Sequence, residues 1–573
     1  MKKLLQFLMT MYLSVAMVGC YSTEEPVGPD VPIVGALKLS QEEMTIGADG
    51  GEFSVDIFTE YSYETSANVD WITISGGSCG TEYCTLYFTV AKNNTTSERE
   101  GVITVFCDNY NLSATLTVSQ EAGENTGDTI PNNEIWYTSS DGEVVTPKHA
   151  DVFGANIVSN TYEEGKGIIE FDGKITTIGK SAFYSKSTLA TIAIPNSVTS
   201  IGDFAFHNCN SLTNVIIPNS VTSIGEYAFQ VCSSLSSVTI PESATEIGAG
   251  AFGHCNNLNS FYGKFASEDN RCLVVNGVLV SFAVGCGVTE YTIPNNVTVI
   301  GDYAFCNCSS LVSITIPNGV TSIEGNAFQN CSISSITIPD SVTTIKWGAF
   351  QNCNISSITI PDSVTSIEGN PFTGCPITAF YGKFATEDHL CLIANGELVS
   401  FAVGCNVTEY TIQNGVSSIG IEAFAGCKNL KNVIIPNGVS SIGQSAFSSC
   451  NSLTGVAISD SVTSIGASAF MFSKLSTIVI PDGVTAIEYR TFYRCSRLLQ
   501  VTIGEGVKSI GDGAFSYCNR LENVYCKPTN PPEAYDSIFS SESVIYVPHT
   551  SVETYKTAQY WSNYASNIVG YNF

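Results

Sequence analysis

Basic residues are scarce in this chain of 573 residues. Lys and Arg together number 24 against 53 Asp and Glu, which leaves a formal net charge of −29. Nucleic acids and anionic membranes attract proteins through basic patches, and we find no cluster of Lys and Arg that contradicts the acidic balance. We therefore exclude both as direct partners. Only 13% of the residues are charged, so Ser, Thr and Asn must supply most of the polar surface.

Motifs for catalysis and metal binding are also missing. The chain contains no P-loop, EF-hand loop or Gly-x-Ser-x-Gly motif. Its cysteines form no CxxC pairs, and its histidines fall at unrelated positions: His149, His207, His254, His389 and His549. Adjacent carboxylates occur at Glu268-Asp269 and Glu387-Asp388, but a glycosidase needs two carboxylates across a cleft. We predict a non-enzymatic protein with no cofactor and no metal.

Long apolar runs are absent after the first twenty residues. Met1-Lys-Lys precedes Leu4–Val18, an apolar run too short to span a membrane as a mature helix. The run ends at Ala16-Met-Val-Gly-Cys20, which resembles a bacterial lipoprotein signal. This resemblance implies cleavage before Cys20 and attachment of a diacylglyceryl group to its thiol. Glu24-Glu25 resembles an acidic tether that directs lipoproteins to the outer face of the outer membrane. A plain secretory signal is the alternative.

What the chain does have is one repeated motif, with its clearest copy at Ile217–Phe229, IPNSVTSIGEYAF. Aligning the copies on the Ala-Phe pair puts thirteen phenylalanines in one column: Phe183, Phe206, Phe229, Phe252, Phe305, Phe328, Phe350, Phe372, Phe424, Phe447, Phe470, Phe492 and Phe515. Within each uninterrupted array they are 22 or 23 residues apart, a period typical of stacked repeats. In each copy an alternating apolar strand comes first, such as Val238-Thr-Ile240, which ends at Pro241 because proline cannot donate to a ladder. Ile247 and Ala251-Phe252 are then predicted to point inward, with Gly248 permitting the turn between them.

Eleven of the 21 cysteines occupy one repeat position, three residues after the column phenylalanine. They are Cys209, Cys232, Cys255, Cys308, Cys331, Cys353, Cys375, Cys427, Cys450, Cys495 and Cys518. A side chain at a fixed position of a coil normally faces its interior, so we predict a ladder of buried thiols. The pairs Cys272/Cys286 and Cys391/Cys405 repeat one spacing, and the sequence leaves open whether they form disulfides.

The strings IPNSVTSIG-x-x-AF-x-x-C and IPDSVTSIEG-x-x-F resemble the BspA-type leucine-rich repeats of bacterial surface proteins. The resemblance covers about Ile168–Cys526, more than half of the chain. It implies a right-handed solenoid with a parallel sheet on one face. It also implies adhesion or ligand capture outside the cell rather than catalysis.

Short alternating strands precede the repeats and predict a β-sandwich. Trp71-Ile-Thr-Ile-Ser75, Asn93-Asn94, Arg99–Val105 and Leu116–Gln120 resemble a BACON domain, a module that often accompanies carbohydrate-active or mucin-directed proteins. Trp71 is either a sugar-stacking platform or a core residue. We favour core packing, because Trp71 heads an alternating strand.

Two inserts, at 261–290 and 380–409, interrupt the repeats and nearly copy each other. Asn276-Gly277 and Asn395-Gly396 lie between apolar alternating runs, which predicts a β-hairpin in each insert. Copied insertions are candidate ligand surfaces, but we favour a variant structural coil that widens the sheet.

These patterns predict a mainly β protein, with an immunoglobulin-like β-sandwich followed by a leucine-rich-repeat solenoid with hairpin inserts and a short C-terminal helix. The expected parts are a signal peptide (1–19), a tether (20–35), the BACON-like sandwich (36–122), a linker (123–133), an N-terminal cap (134–170), the repeats (171–526) and a C-terminal cap (527–573). The helix is expected to begin at Thr550 or Ser551 and to close the last coil with Tyr555, Tyr560, Trp561 and Ile568.

The expected function is a non-catalytic, adhesin-type binding protein that is lipid-anchored through Cys20 and faces the cell exterior. Its expected partners are extracellular proteins, mucin-like glycoproteins or polysaccharides, and it meets the membrane only through its anchor. One alternative is an accessory glycan-capture lipoprotein of a polysaccharide-uptake system. That role needs a concave aromatic site, and we expect no aromatic cluster outside the core columns. Another is a structural surface spacer without a ligand. Individual ligand-binding residues are not predicted.

Overall fold

The computed structural model describes residues 37–47, 50–59, 61–79, 83–91, 93, 98–107, 112–121, 130–535 and 538–573. The chain divides into two compact units, Met1–Pro131 and Asn132–Phe573. The predicted lipid-attachment residue, Cys20, lies outside the described residues. Among the helices of the described residues, none has the length and apolar character that a membrane crossing requires.

The first unit is a sandwich of two four-stranded sheets, in the orders β1-β3-β6-β5 and β2-β8-β7-β4. The strands are β1 (Lys38–Leu39), β2 (Glu43–Ile46), β3 (Gly51–Phe58), β4 (Glu64–Ala67), β5 (Ile72–Cys79), β6 (Cys84–Val90), β7 (Arg99–Cys107) and β8 (Leu112–Gln120). Alternate residues of the long strands, such as Ile57, Ile103 and Leu116, are fully buried between the sheets. The five long strands confirm the predicted sandwich. The sequence did not reveal β1, β2 and β4, because runs of two to four residues are too short to show alternation.

Three antiparallel strands begin the second unit: β9 (Glu134–Ser139), β10 (Ile157–Glu163) and β11 (Lys166–Phe171). Strand β9 pairs antiparallel with the first repeat strand, Leu189–Ala193, whose other edge pairs in parallel with Asn214–Ile216. The three strands therefore cover the edge that the first coil would otherwise expose.

Most coils of the solenoid contribute a longer and a short strand, which pair in parallel with the equivalent strands of neighbouring coils. The longer strands form one row of small sheets, here called the long-strand sheet, and the short strands form a second row, here called the short-strand sheet. The long-strand sheet is built from Leu189–Ala193, Asn214–Ile216, Ser237–Ile240, Ser260–Gly263, Glu290–Thr292, Ser313–Thr315, Ser357–Ile360, Ala379–Gly382, Glu409–Thr411, Asn432–Ile435, Gly455–Ile458, Thr477–Val479, Gln500–Ile503 and Asn523–Cys526. The short-strand sheet is built from Thr177–Ile178, Ser200–Ile201, Ser223–Ile224, Glu246–Ile247, Val299–Ile300, Ser322–Ile323, Thr344–Ile345, Ser366–Ile367, Ser418–Ile419, Ser441–Ile442, Ser464–Ile465, Ala486–Ile487 and Ser509–Ile510. Equivalent residues pair in register between neighbouring coils, for example Ile201 with Ile224. The parallel sheet that the resemblance implied is confirmed. The row of short strands was not predicted, because a two-residue strand leaves no alternating pattern.

The predicted column of thirteen phenylalanines is confirmed, since all thirteen are buried. Successive rings stack nearly parallel, with the ring centres of Phe206 and Phe229 5.0 Å apart and those of Phe447 and Phe470 5.3 Å apart. The predicted cysteine ladder is likewise buried, and its thiols are free. One repeat position therefore meets the same environment in every coil.

The glycine after the short strand allows two backbones to approach closely. A Cβ added to Gly248 would lie 2.4 Å from the main-chain nitrogen of Glu226 in the preceding coil. Gly225 and Gly443 meet the preceding coil in the same way, and none of the three has a positive φ. The predicted turn after Gly248 is present, since the Gly248 oxygen accepts the main-chain N–H of Ala251 at 3.3 Å. Gly248 has no positive φ, so its lack of a side chain matters for stacking rather than for the turn.

The last coil is closed by two further strands, Val544–Pro548 and Ile568–Tyr571, which extend the long-strand sheet in parallel. Between them lie 3-10 helices at His549–Ser551 and Trp561–Asn567 and the helix α1 (Val552–Thr557), and another 3-10 helix lies at Val284–Cys286. Ser551 is the N-cap residue of α1, as predicted, but its side chain accepts no capping hydrogen bond. Tyr555 and Trp561 are buried, and their polar atoms donate to the main-chain oxygens of Pro528 and Pro532.

Candidate binding surfaces

Trp71 is partly buried against the core of the sandwich. The Arg99 guanidinium lies over its ring, with Cζ 4.3 Å from the ring centre. Arg99 is held there because its Nε donates to Gln120 Oε1 and its Nη2 donates to the Ala91 oxygen, each across 2.8 Å. The core-packing interpretation of Trp71 is confirmed, and one face of the ring is covered from within the protein.

Each insert forms the predicted hairpin. Cys272–Val275 pairs antiparallel with Val278–Phe282, and Cys391–Ala394 pairs antiparallel with Glu397–Phe401. At the first turn, Asn276 and Gly277 have φ values of 50° and 83°. Positive φ at both central residues is the requirement of a type I′ turn, which Asn-Gly meets without strain.

The second strand of each hairpin also serves as the short strand of a coil. In the first insert, Leu279 pairs in register with Ile300, and the Phe282 ring stacks on Phe305 with 4.7 Å between centres. In the second insert, Phe401 stacks on Phe424 at the same distance. Both hairpins are therefore variant structural coils, as favoured from the sequence, and their fully buried side chains, such as Leu279 and Phe401, are not available to a ligand.

The two cysteine pairs of the inserts are reduced. Cys272, Cys286, Cys391 and Cys405 are all free thiols. Cys391 Sγ donates to the Tyr410 hydroxyl across 3.1 Å, and that hydroxyl donates to Asp388 Oδ2 across 3.4 Å. Burial raises the pKa of Tyr410, and the neighbouring Cys391 adds to the rise. Each cysteine at the start of a hairpin is thus engaged by a buried tyrosine rather than by a disulfide.

The adjacent carboxylates of the inserts shape local turns. Asp269 Oδ1 accepts bonds from Ser267 Oγ at 2.5 Å and from the Arg271 main-chain nitrogen at 3.1 Å. Asp388 repeats this arrangement in the second insert with Thr386 Oγ1 at 2.5 Å. Glu268 and Asp269 also line an open groove of about 730 Å³. Within the described residues, no group of His, Cys, Asp and Glu is placed to hold a metal ion.

A second groove, of about 400 Å³, lies between the short strand Glu246–Ile247 and the first hairpin. Asp302 and Glu324 contribute acidic side chains to its lining. Burial and then the nearby Glu324 raise the pKa of Asp302. Lys346 forms an ion pair with Glu324, and that contact is the main cause of the raised pKa of Lys346. Part of the negative charge in this groove is therefore balanced from within the repeats.

A cysteine and a histidine meet at one turn of the repeats, although their spacing in the sequence did not suggest it. Cys306 Sγ lies 3.4 Å from His254 Nε2, and Asn307 Nδ2 lies 2.9 Å from His254 Nδ1. Burial raises the pKa of Cys306 to about 12 and lowers the pKa of His254. Both groups are therefore neutral near pH 7, which is the opposite of the thiolate–imidazolium pair of a cysteine nucleophile.

The long-strand sheet presents an outward row of side chains near its C-terminal end. We define the outward row as Val479, Thr502, Tyr525, Tyr546 and Val569, which are paired in register on five neighbouring strands. On the first four of these strands the neighbouring residues are buried, so alternation places the row outside. The Tyr525 and Tyr546 rings stack with 4.7 Å between centres. Ile434, on an earlier strand, is also 51% exposed.

Arginine and aromatic side chains gather on the turns of the last coils. We define the arginine–aromatic cluster as Phe472, Tyr489, Arg490, Tyr493, Arg494 and Tyr517. Neither a basic cluster nor an aromatic cluster outside the core columns was predicted, and both predictions were wrong. The positions of the arginines would have indicated the basic part of this cluster. Four of the six arginines in the chain lie close together in the sequence: Arg490, Arg494, Arg497 and Arg520.

The family comparison agrees with the stacked coils. The model of the BspA type leucine rich repeat region matches six copies, at residues 157–268, 280–386 and 399–544, which together are more than half of the chain. This chain belongs to the BspA-type leucine-rich repeat family. The BACON model, described as a putative binding domain, matches residues 60–121 within the sandwich unit. The predicted resemblances to BspA-type repeats and to a BACON domain are confirmed.

Several solved structures are similar to this BspA-type chain. A leucine rich cell surface protein from Faecalibacterium prausnitzii is 29% identical, covering 65% of this chain and 86% of that chain with a TM-score of 0.39. A leucine-rich repeat protein from Bacteroides ovatus is 25% identical, covering 72% and 90% with a TM-score of 0.29. The Pneumococcal vaccine antigen PcpA is 16% identical, covering 73% and 88% with a TM-score of 0.38. No curated protein matches the chain.

Most of the residues that stood out in the sequence therefore have a structural role in the BspA-type repeats. The column phenylalanines and cysteines are core residues, and the inserts are coils. The outward row and the arginine–aromatic cluster are different, because they lie on the outside of the coils with partly or fully exposed side chains. These two surfaces are the candidate binding surfaces of the repeats.

Proposed function

We propose that this protein is a non-catalytic, adhesin-type binding protein of the bacterial cell surface, anchored by a lipid on Cys20 and exposed to the cell exterior. Extracellular proteins, including mucin-like glycoproteins, are its proposed partners. The observation that carries the proposal is the outward row, in which Val479 and Val569 are exposed on the same five-stranded sheet as two stacked tyrosines. Aromatic and apolar side chains at the centre of a polar surface are characteristic of protein interfaces.

The family supports this proposal, because BspA-type repeats are surface and binding modules rather than enzymes. The predicted lipoprotein signal supports the anchor, and the BACON match adds a second putative binding domain. A flat row along a sheet suits a macromolecule that contacts several coils at once. A small sugar would instead be enclosed in a concave site.

The test is a binding screen of the chain from Tyr21 onward against matrix proteins, mucins and polysaccharides. The double variant Val479→Ser and Tyr546→Ser removes apolar contact area from the outward row. The matched control is Val158→Ser, since Val158 is 61% exposed on β10 of the N-terminal cap. We expect the double variant to lose at least about tenfold in affinity for a bound protein, equivalent to about 1.4 kcal/mol, while the control keeps the wild-type affinity.

Other outcomes point to the two alternative roles. Binding of polysaccharides alone, unaffected by the double variant, would replace the adhesin proposal with glycan capture. A chain that binds nothing in the panel would support a structural spacer. Labelling with radioactive palmitate, abolished by Cys20→Ala, tests the anchor independently of the ligand.

A further inference from the structure

We propose that the arginine–aromatic cluster is a docking site for an acidic, extended segment of a partner protein. The inference rests on the protein-binding function proposed above and specifies the chemistry of the partner. The evidence for this inference is a set of contacts between arginine and aromatic side chains, which the outward row lacks.

Arg494 is held among three aromatic rings. Its Cζ lies 5.1 Å from the ring centre of Tyr517, 5.5 Å from that of Tyr493 and 5.6 Å from that of Phe472. A guanidinium over aromatic faces is stabilised by cation–π attraction. A side chain already restricted in this way loses less conformational freedom when it binds an anion.

Arg490 extends the same arrangement. Its Cζ lies 4.7 Å from the ring centre of Tyr489 and 4.9 Å from that of Tyr493, so Tyr493 contacts both arginines. Tyr489 and Tyr517 remain 43% and 57% exposed. The cluster therefore offers two guanidinium groups and two accessible tyrosines on one surface.

In the part of the chain that the structure describes, no ion pair neutralises the positive charge of the cluster. Among the ion pairs of the described residues, none includes Arg490 or Arg494. Glu488 lies two residues before Arg490, and the main-chain oxygen of Asp512 accepts the N–H of Arg490, but both acidic residues are exposed. Residues 488–520 contain five basic and three acidic side chains, which is a local excess of positive charge in a chain of net charge −29.

This local excess favours an acidic partner at one place on the molecule. The Debye length at physiological ionic strength is about 8 Å, so carboxylates farther away are largely screened. An acidic segment would be repelled by most of the surface and attracted to the cluster, where the guanidiniums can donate paired hydrogen bonds to carboxylates. Tyr and Arg are also the residue types most often found at the energetic centres of protein interfaces.

The spacing of the rings favours an extended partner. Phe472, Tyr493 and Tyr517 belong to successive coils, with ring centres 6.0 Å and 5.3 Å apart. A peptide running along the stack would therefore meet one ring per coil. A compact ligand would contact only part of this line.

The test measures binding of a fluorescent poly(Glu,Tyr) copolymer to the chain from Tyr21 onward. The test variant is Arg490→Gln with Arg494→Gln. The matched control is Arg497→Gln with Arg520→Gln, which removes two exposed arginines and the same charge from the same coils but outside the cluster. We expect a loss of at least about tenfold for the test variant and less than about twofold for the control. A charge-conserving variant, Arg490→Lys with Arg494→Lys, should lose affinity as well, because lysine cannot form the planar, bidentate contact.

Equal losses in the test and control variants would overturn the inference, because they would show a general charge effect. Binding of dextran sulfate but not of poly(Glu,Tyr) would also overturn it and would assign the cluster to anionic carbohydrate. The same variants enter the partner screen described above. A protein partner that binds the test variant as well as the wild type overturns this inference alone, whereas the absence of any partner overturns the proposed function. Unchanged thermal unfolding of each variant shows that the fold is intact.

Discussion

Cys232 Sγ donates a hydrogen bond to the main-chain oxygen of Phe206, in the preceding coil, across 3.2 Å. The same oxygen accepts the main-chain N–H of Cys209, also at 3.2 Å. Nine of the eleven column cysteines make the equivalent thiol bond: Cys209, Cys232, Cys255, Cys331, Cys353, Cys375, Cys450, Cys495 and Cys518. The remaining two, Cys308 and Cys427, follow the inserts. A thiol suits this position because it is small and apolar and yet carries a weak donor.

Replacing Cys232 by alanine should therefore cost stability twice, through lost packing and through the lost thiol bond. We expect the free energy of unfolding of the repeat unit to fall by about 1–2 kcal/mol. Urea unfolding of the full chain, followed by far-UV circular dichroism, measures the change. Cys286→Ala is the control, because Cys286 is only partly buried and lies outside the ladder. An equal effect in both variants would contradict a specific role for the ladder.

The ladder also predicts how the protein responds to alkaline pH. Burial raises the pKa of Cys209, Cys255 and Cys353 from 9.0 to about 12. Between these values the unfolded chain releases thiol protons that the folded chain retains, so stability should fall as the pH rises from about 9 to about 12. Below pH 9 this contribution is fully present.

Two measurements check this pH dependence. The urea midpoint should be lower at about pH 10 than at about pH 8. At about pH 8 a thiol-specific reagent should modify the column cysteines only after urea is added, since the reactive form is the thiolate. Rapid modification of these cysteines in the folded protein would contradict the buried ladder.

Close stacking of the coils predicts that Gly225→Ala is destabilising. A Cβ at this position would lie 2.5 Å from the main-chain nitrogen of Asp203, so the two coils would have to move apart. We expect a loss of about 1–3 kcal/mol, measured as a lower urea midpoint. Gly173→Ala is the control, because its nearest neighbour, the Ala155 Cβ, is 4.0 Å away. Equal stability of the two variants would show that neighbouring coils can move apart without lowering the free energy of unfolding.

The insert hairpins predict a separate glycine effect. Gly277 has φ of +83°, and a Cβ on it would lie 2.7 Å from Thr298 Oγ1. Gly277→Ala should therefore cost about 1–3 kcal/mol and speed hydrogen exchange of the Cys272–Phe282 amides. Gly396→Ala, in the second insert, should behave alike, because its φ is +80° and Ser417 Oγ would be 2.8 Å away. Gly319→Ala, with no positive φ and its nearest atom at 3.4 Å, should leave exchange in both hairpins unchanged.

Much of the fold was predictable because residues at the same position of successive repeats have similar burial and neighbours. Phe229 and Cys232 were correctly assigned to the core from their columns alone, and Asn276-Gly277 was correctly assigned to a hairpin turn. The short second strand was missed, because Ser-Ile pairs carry no periodic signal. Gly248 was misinterpreted, because its constraint comes from the main chain of another coil, which no local pattern reports.

The binding surfaces were less predictable for a related reason. Trp71 was correctly assigned to packing, but the sequence gives no sign that Arg99, 28 residues later, covers its ring. Tyr546 and Val569 belong to the C-terminal cap, and only strand pairing places them beside Tyr525 in the outward row. A side chain in the outward row is exposed only if no other part of the chain covers that face of the sheet.

The sequence by itself determined the repeat period, the buried columns and the hairpin turns, since each follows from local spacing and from which residues avoid water. Only the tertiary structure decided which side chains of different coils meet. Arg494 comes together with Phe472 and Tyr517, more than twenty residues away in either direction, because the coils stack with equivalent positions aligned. The physical reason is that contacts between coils follow from pairing register across the stack, whereas sequence patterns report the order along a single coil.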